Sequence, residues 1–207
     1  MKLTAANLLL IAGISFFTAT GVLAQTPVFD QLKLKFDNDL LLQSDFEHRF
    51  TDSYTGEVLT SNGQIFIRSN AYKLLAEEQS LVVDGETSTV YDALKNRVII
   101  SFYDEAEDDF APSRTLNGVD STYSIREQRE KKNITRIVMT TDDDFAIFPE
   151  IQIWVDENII PQQILATDAA DNQILTLFRN PVFVPAATVS FKLDYPADAE
   201  IIDMRIE

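Results

Sequence analysis

A period of two runs through most of this chain and limits what it can fold into. In residues 45–53, Phe46, His48 and Phe50 alternate with Glu47, Arg49 and Thr51. That is the pattern of a strand with one buried and one wet face. Further strands are read at 63–68, 72–76, 81–83, 89–91, 97–101, 123–130, 133–141, 150–155, 160–167 and 172–179. Tyr54-Thr55-Gly56, Asp84-Gly85 and the run from Asp168 to Asn172 punctuate them. Asp-Gly between apolar runs is a hairpin signal, and turn residues at intervals of about 8–12 residues argue an antiparallel meander. Residues 186–194 are expected to add an edge strand, because Pro196 limits pairing beyond them.

Two segments break the period. Val28, Leu32, Phe36 and Leu40 recur every fourth residue behind Pro27, which predicts a helix. Residues 110–118, closed by Gly118, read as a helix of about two turns. The predicted fold is mostly β (α+β): an unclosed antiparallel barrel of about 10–11 strands with one N-terminal and one short mid-chain helix. A sheet this large curls. A helix on its concave side would lay an apolar stripe on the inner face, and with so many strands the enclosed space can exceed what side chains fill, which makes a ligand cavity possible. The chain holds 14 Phe and 6 Tyr, which at strand spacing read first as core.

The first residues have a different character. Lys2 precedes the apolar run from Leu8 to Phe17, and Val22-Leu23-Ala24 places small residues before a cleavage point. Residues 1–24 are expected to be a cleaved signal peptide, since the apolar run is shorter than the roughly 20 residues of a spanning helix. Residues 25–207 are then a single domain in an exported compartment. Cys is absent, which excludes disulfides, thiolate metal sites, a Cys nucleophile and an acylated Cys on this chain. Asp and Glu number 33 against 17 Lys and Arg, a net charge of −16. Such a surface repels nucleic acid and anionic headgroups.

The ordered series carries a resemblance. It comprises the first helix, Phe46-x-x-x-Phe50, Gly63-x-Ile65-x-Ile67, Tyr72, Asp84-Gly85, Tyr91-Asp92 and Asn96-x-Val98. Pro112 with Leu116, Phe148-x-x-Ile151-x-Ile153, Ile160-Pro161 and Asp168 to Asn172 complete it. The chain resembles the outer-membrane lipoprotein carrier family, the LolA-like proteins, as a divergent member. The resemblance implies a periplasmic carrier in a Gram-negative bacterium, shielding the acyl chains of lipoproteins between an inner-membrane releasing transporter and an outer-membrane receptor or the membrane itself. It implies a monomer without enzymatic activity, cofactor or metal. Phe36, Phe46, Phe50, Ile65, Ile67, Tyr72, Leu74, Val90, Val98 and Ile100 would line the cavity. Leu32, Pro112 and Leu116 would belong to its lid. Typical members pin the lid with an Arg-Pro pair after the Gly-containing strand. Here Arg68-Ser69-Asn70 stands there without a Pro, so Arg68 is the candidate lid contact.

Other motifs carry less. His48 is the only His and reads as a lining or satisfied side chain, because a general base needs a positioned partner and nucleophile. Asp142-Asp143-Asp144 lacks EF-hand spacing and reads as a solvated tip. The acidic run from Asp104 to Asp109 reads as a loop, and Asn133-Ile134-Thr135 as strand. A lipid- or peptide-binding sensor module of related fold is the alternative to a carrier. A lipid hydrolase is the weakest reading.

Overall fold

The computed structural model describes residues 27–104, 108, 112–117, 122–130 and 133–205. The expected signal peptide, the ends of the mid-chain helix at 110–111 and 118, and most of the acidic loop lie outside the described residues. The elements in chain order are α1 (Pro27–Asp37), β1 (Leu40–Thr51), β2 (Val58–Arg68), β3 (Ala71–Ala76), β4 (Gln79–Val83), β5 (Thr87–Asp92) and β6 (Arg97–Phe102). There follow α2 (Pro112–Asn117), β7 (Ser124–Arg129), β8 (Thr135–Thr140), β9 (Glu150–Val155), β10 (Pro161–Thr167), β11 (Gln173–Pro185) and β12 (Glu200–Asp203).

All twelve strands form one sheet, ordered β12-β6-β5-β4-β3-β2-β1-β11-β10-β9-β8-β7. The long strands β1 and β11 pair at its centre. Every pairing is antiparallel except β12 on β6. The two ends, β12 and β7, do not meet, so the barrel is unclosed. The sheet curls around the helices: α1 packs on β1, on β8 near one end and on α2, while α2 reaches back to β2 and β3.

Register sorts the side chains onto two faces. Leu42 lies opposite Ile67, Ile67 opposite Tyr72, and Tyr72 opposite Val83. On the other flank Ile164 faces Ile153, which faces Ile137. These residues, with Phe46, Met139 and Phe178, form one buried core with Phe29, Leu32 and Phe36 of α1 and Leu116 of α2. This is the concave face. On the convex face Leu41, Phe66 and Ala186 are buried with Leu75, Val184, Val189 and Phe191.

The ends of α1 explain its place. Pro27 occupies its first position, where a missing N–H costs nothing. The backbone N–H groups of Val28 and Phe29 both donate to Glu127 Oε1 of β7, each at 2.9 Å. A carboxylate from the sheet edge thus caps the helix and complements its dipole. At the other end Asp39 turns into the left-handed region, φ 56°, and the chain enters β1. The apolar stripe of α1 is Phe29, Leu32 and Phe36, whereas Leu40, expected as its last member, already belongs to β1. Phe36 meets Phe183 edge-on, with ring centroids 5.3 Å apart.

Two expectations about strands are corrected. Residues 186–194 are not a strand. Ala186–Thr188 is a 3-10 turn, and the chain beyond it crosses the convex face. Phe191 and Val189 pack there, and Lys73 Nζ donates to the carbonyls of Ser190 and Lys192. The true edge strand is β12, which runs parallel to β6 after that crossing. Strand β2 starts at Val58, five residues earlier than its apolar part suggests. Near its middle, a Cβ on Gly63 would sit 2.0 Å from the Leu75 carbonyl oxygen. No other residue fits where β3 leaves β2.

Candidate binding cavity

The concave face divides into a filled and an open part. Under α2, Pro112, Thr115, Phe148, Ile164 and Ile174 border a void of about 30 Å³, room for about one water. Past Gly63 the face opens. Strand β3 stops pairing with β2 at the Gly63–Ala76 pair, and the chain turns at Glu77 into β4. The opening is a cavity of about 620 Å³. Tyr72, Leu74, Ala76 and Leu81 give it apolar walls, and register puts all four on the concave face. Its mouth is polar, with His48, Thr60, Ser61 and Asn62 on one side and Glu77, Glu78 and Gln79 on the other.

Hydrogen bonds fix the polar groups. His48 Nδ1 and Thr176 Oγ1 share a bond of 3.0 Å across β1 and β11. Burial holds the His48 pKa below its ordinary value, so the imidazole is neutral at pH 7. Tyr72 donates its hydroxyl to Asp108 Oδ2 at 2.6 Å, and Tyr103 donates to the same oxygen at 3.0 Å. Burial first, and the adjacent carboxylate second, push the Tyr72 phenol far above its normal range. It remains a hydrogen-bond donor at any physiological pH. The arrangement is a slot with an apolar wall of Leu74, Ala76 and Leu81, the Tyr72–Asp108 pair beside it, and polar and acidic groups around its entrance. It suits a ligand with a long apolar body.

The structure distributes the expected cavity residues. Tyr72 and Leu74 line the cavity. Phe46, Ile65 and Ile67 lie on the same face but are buried in the core beneath the helices, and Phe36 enters that core from α1. Phe50, opposite Leu59 and Ile174, and Val90, opposite Leu81, share that face outside the cavity walls. Val98 and Ile100 are on the convex face: their partners on β5 are Tyr91 and Thr89, while inward-facing Val90 pairs with Ile99. The run Val98-Ile99-Ile100 is apolar on both faces, and only register tells which residue points in. Among the expected lid residues, Leu32 and Leu116 are fully buried, and Pro112 borders the small void. Among the described residues, Arg68 lies on the side of the sheet away from Leu32 and Leu116. It pairs with Ala71 on the convex side, and its guanidinium lies 5.2 Å from the Phe191 ring centre. The group that does hold α1 is Glu127, which reads in sequence as one more polar strand position. Leu81 was legible only through its pairing with Leu74.

Comparison with known proteins gives this fold a family. The model of the family described as outer membrane lipoprotein carrier protein LolA matches residues 43–194. The chain belongs to the LolA family. No curated protein matches it. Among solved structures, an uncharacterized conserved protein from Thermus thermophilus is similar at 12% identity and a TM-score of 0.55, covering 85% of this chain and 96% of that one. At that identity the likeness is one of fold. A LolA superfamily protein from Nitrosomonas europaea, at 10% identity and a TM-score of 0.41, covers 73% of this chain and 91% of its own. A DUF1329 family protein from Desulfovibrio piger, at 11% and 0.40, covers 75% and 91%. As a LolA-family chain, the protein combines the unclosed, helix-lidded sheet with its own lid contact.

Proposed function

We propose that this protein is a periplasmic carrier of acylated lipoproteins, exported by the signal peptide at 1–24, that shelters their acyl chains on the concave face and releases them without covalent chemistry. The observation that carries the reading is the cavity of about 620 Å³ with walls of Leu74, Ala76, Leu81 and Tyr72, in a chain of the LolA family. The volume falls within the range of about 300–1,000 Å³ typical of small-ligand sites. Each buried methylene contributes about 0.8 kcal/mol. Ten of them give on the order of 8 kcal/mol, a micromolar affinity before the cost of ordering the chain.

A second acyl chain needs more room than the open part offers. Displacement of α1 and α2 would supply it, because the space they fill is continuous with the same apolar face. Cargo would come from an inner-membrane releasing transporter and pass to an outer-membrane receptor or the membrane, with the carrier a monomer.

The test is native mass spectrometry of the mature chain with a diacylated lipopeptide, beside Leu74→Glu. One lipopeptide bound per chain, lost in the variant while the fold is retained, is the expected result. A mature chain that binds none, or a Leu74→Glu variant that binds as well as the parent, rejects the proposal.

A further inference from the structure

We infer that the free edge of β2 at Val58 to Asn62 is a docking strand for the polypeptide that follows the acyl-bearing residue of the cargo, which adds to the sheet there as an extended strand. This rests on the acyl-carrier reading above.

The edge arises inside the sheet. Strand β2 pairs with β1 from Val58 to Ile67, but with β3 only from Gly63 to Arg68. Among the described residues, nothing pairs with Val58 to Asn62 on the β3 side. The ladder direction follows from the hairpin: Asp52 N–H donates to the Glu57 carbonyl at 2.9 Å. Alternation makes Phe50–Leu59 and His48–Ser61 the bonded pairs, so the N–H and C=O groups of Val58, Thr60 and Asn62 point away from β1.

Its chemistry differs from that of the sheet's two outer edges. Strand β7 carries Arg126, Glu127 and Arg129, and β12 is four residues long with Glu200 and Asp203. Short length and charge are the usual protection of an edge against added strands. Val58-Leu59-Thr60-Ser61-Asn62 has no charge and no Pro, and is exposed along its length.

Its position names the occupant. Thr60, Ser61 and Asn62 form one side of the cavity mouth. An acyl chain within the cavity leaves its peptide at that mouth, beside the unpaired backbone groups. Glu77 and Glu78 stand across the mouth, so the favoured segment is extended and free of Asp and Glu. Main-chain pairing also suits a carrier of varied cargo, because it reads backbone and not sequence.

The experiment compares two probes on the mature protein: diacylglyceryl-cysteine alone, and the same head followed by eight Ser, Thr and Lys residues. Amide hydrogen exchange at Val58, Thr60 and Asn62 should slow about ten- to a hundredfold with the peptide-bearing probe and not with the bare head. The peptide should raise affinity by a similar factor, and that gain should collapse in Thr60→Pro, where Pro removes an outward N–H. Exchange on the unaltered protein decides the matter if the variant does not fold. Equal affinity of both probes with unchanged exchange at the three amides overturns the inference and leaves the carrier reading standing. Protection that needs no probe and grows with protein concentration overturns it in favour of edge pairing between two copies. Failure of both probes to bind rejects the carrier reading and this inference together.

Discussion

Removing the Glu127 carboxylate should loosen the lid without unfolding the sheet. Glu127 Oε1 accepts from the N–H groups of both Val28 and Phe29 at 2.9 Å, across about a hundred residues of sequence. In Glu127→Ala those two donors lose their partner at a half-buried helix end. Loss of a helix cap costs about 0.5–2 kcal/mol, and hydrogen bonds to a charged group contribute about 1.5–3 kcal/mol. The site is partly solvated, so water recovers some of this. We expect α1 to become easier to open by about 1–3 kcal/mol, or about 5- to 150-fold in its opening constant. The assay is native-state hydrogen exchange, read at the amides of 31–37 in α1 and of 150–155 in β9. Exchange in α1 should accelerate by that factor, while β9 keeps its protection. Glu127→Gln, which retains an acceptor oxygen but no charge, should fall between. Unchanged exchange in α1, or equal acceleration in α1 and β9, would refute the idea that Glu127 anchors the lid.

Three further outcomes follow from particular contacts. Gly63→Ala should destabilise the fold toward the upper end of the about 1–3 kcal/mol typical of overpacking, or more, because the new Cβ meets the rigid Leu75 carbonyl at 2.0 Å; a denaturant midpoint equal to the parent's would contradict the split of β2 and β3. For His48, burial lowers the folded-state pKa from 6.5, so the unfolded chain binds the proton more tightly; this contribution is complete above about pH 6.5 and is lost as pH falls through it toward the lower folded value. Urea melts of His48→Asn should accordingly show a flatter pH dependence just below about pH 6.5 than the parent, and parallel curves would disprove the assignment. Arg68→Ala should cost only about 0.5–1 kcal/mol, from its contact over Phe191, and leave exchange in α1 as it was; a faster α1 would restore Arg68 to the lid.

How far the sequence led depends on which physical signal each feature carries. Alternation put Phe46, His48 and Phe50 on one face of a strand, and register agrees. Turn chemistry at Asp84-Gly85 placed a hairpin, and Gly85 adopts φ 99° while Asp84 Oδ1 accepts from Glu86 and Thr87. Val98 and Ile100 were expected inside, where register puts Ile99, because period two is silent where both faces are apolar. Val58 to Asn62 was invisible as strand, since nothing covers it and nothing required apolar side chains. The tail from Ala186 has β-like composition, yet its apolar residues cover the convex face from an irregular segment. Glu127 and Arg68 exchanged roles for a simpler reason. Which polar side chain reaches a helix end depends on contacts distant in sequence, and no local pattern records them.

The central claim is that acyl chains occupy the concave face beyond Gly63. Paramagnetic relaxation from a nitroxide placed near the end of a sixteen-carbon fatty acid, read on the methyl signals of the mature protein, tests it directly. The account predicts stronger broadening at Leu74, Ala76 and Leu81, which line the cavity, than at Val98 or Ile100 on the convex face. Broadening centred on Val98 and Ile100, or no broadening at any of these methyls with the probe in excess, would contradict it.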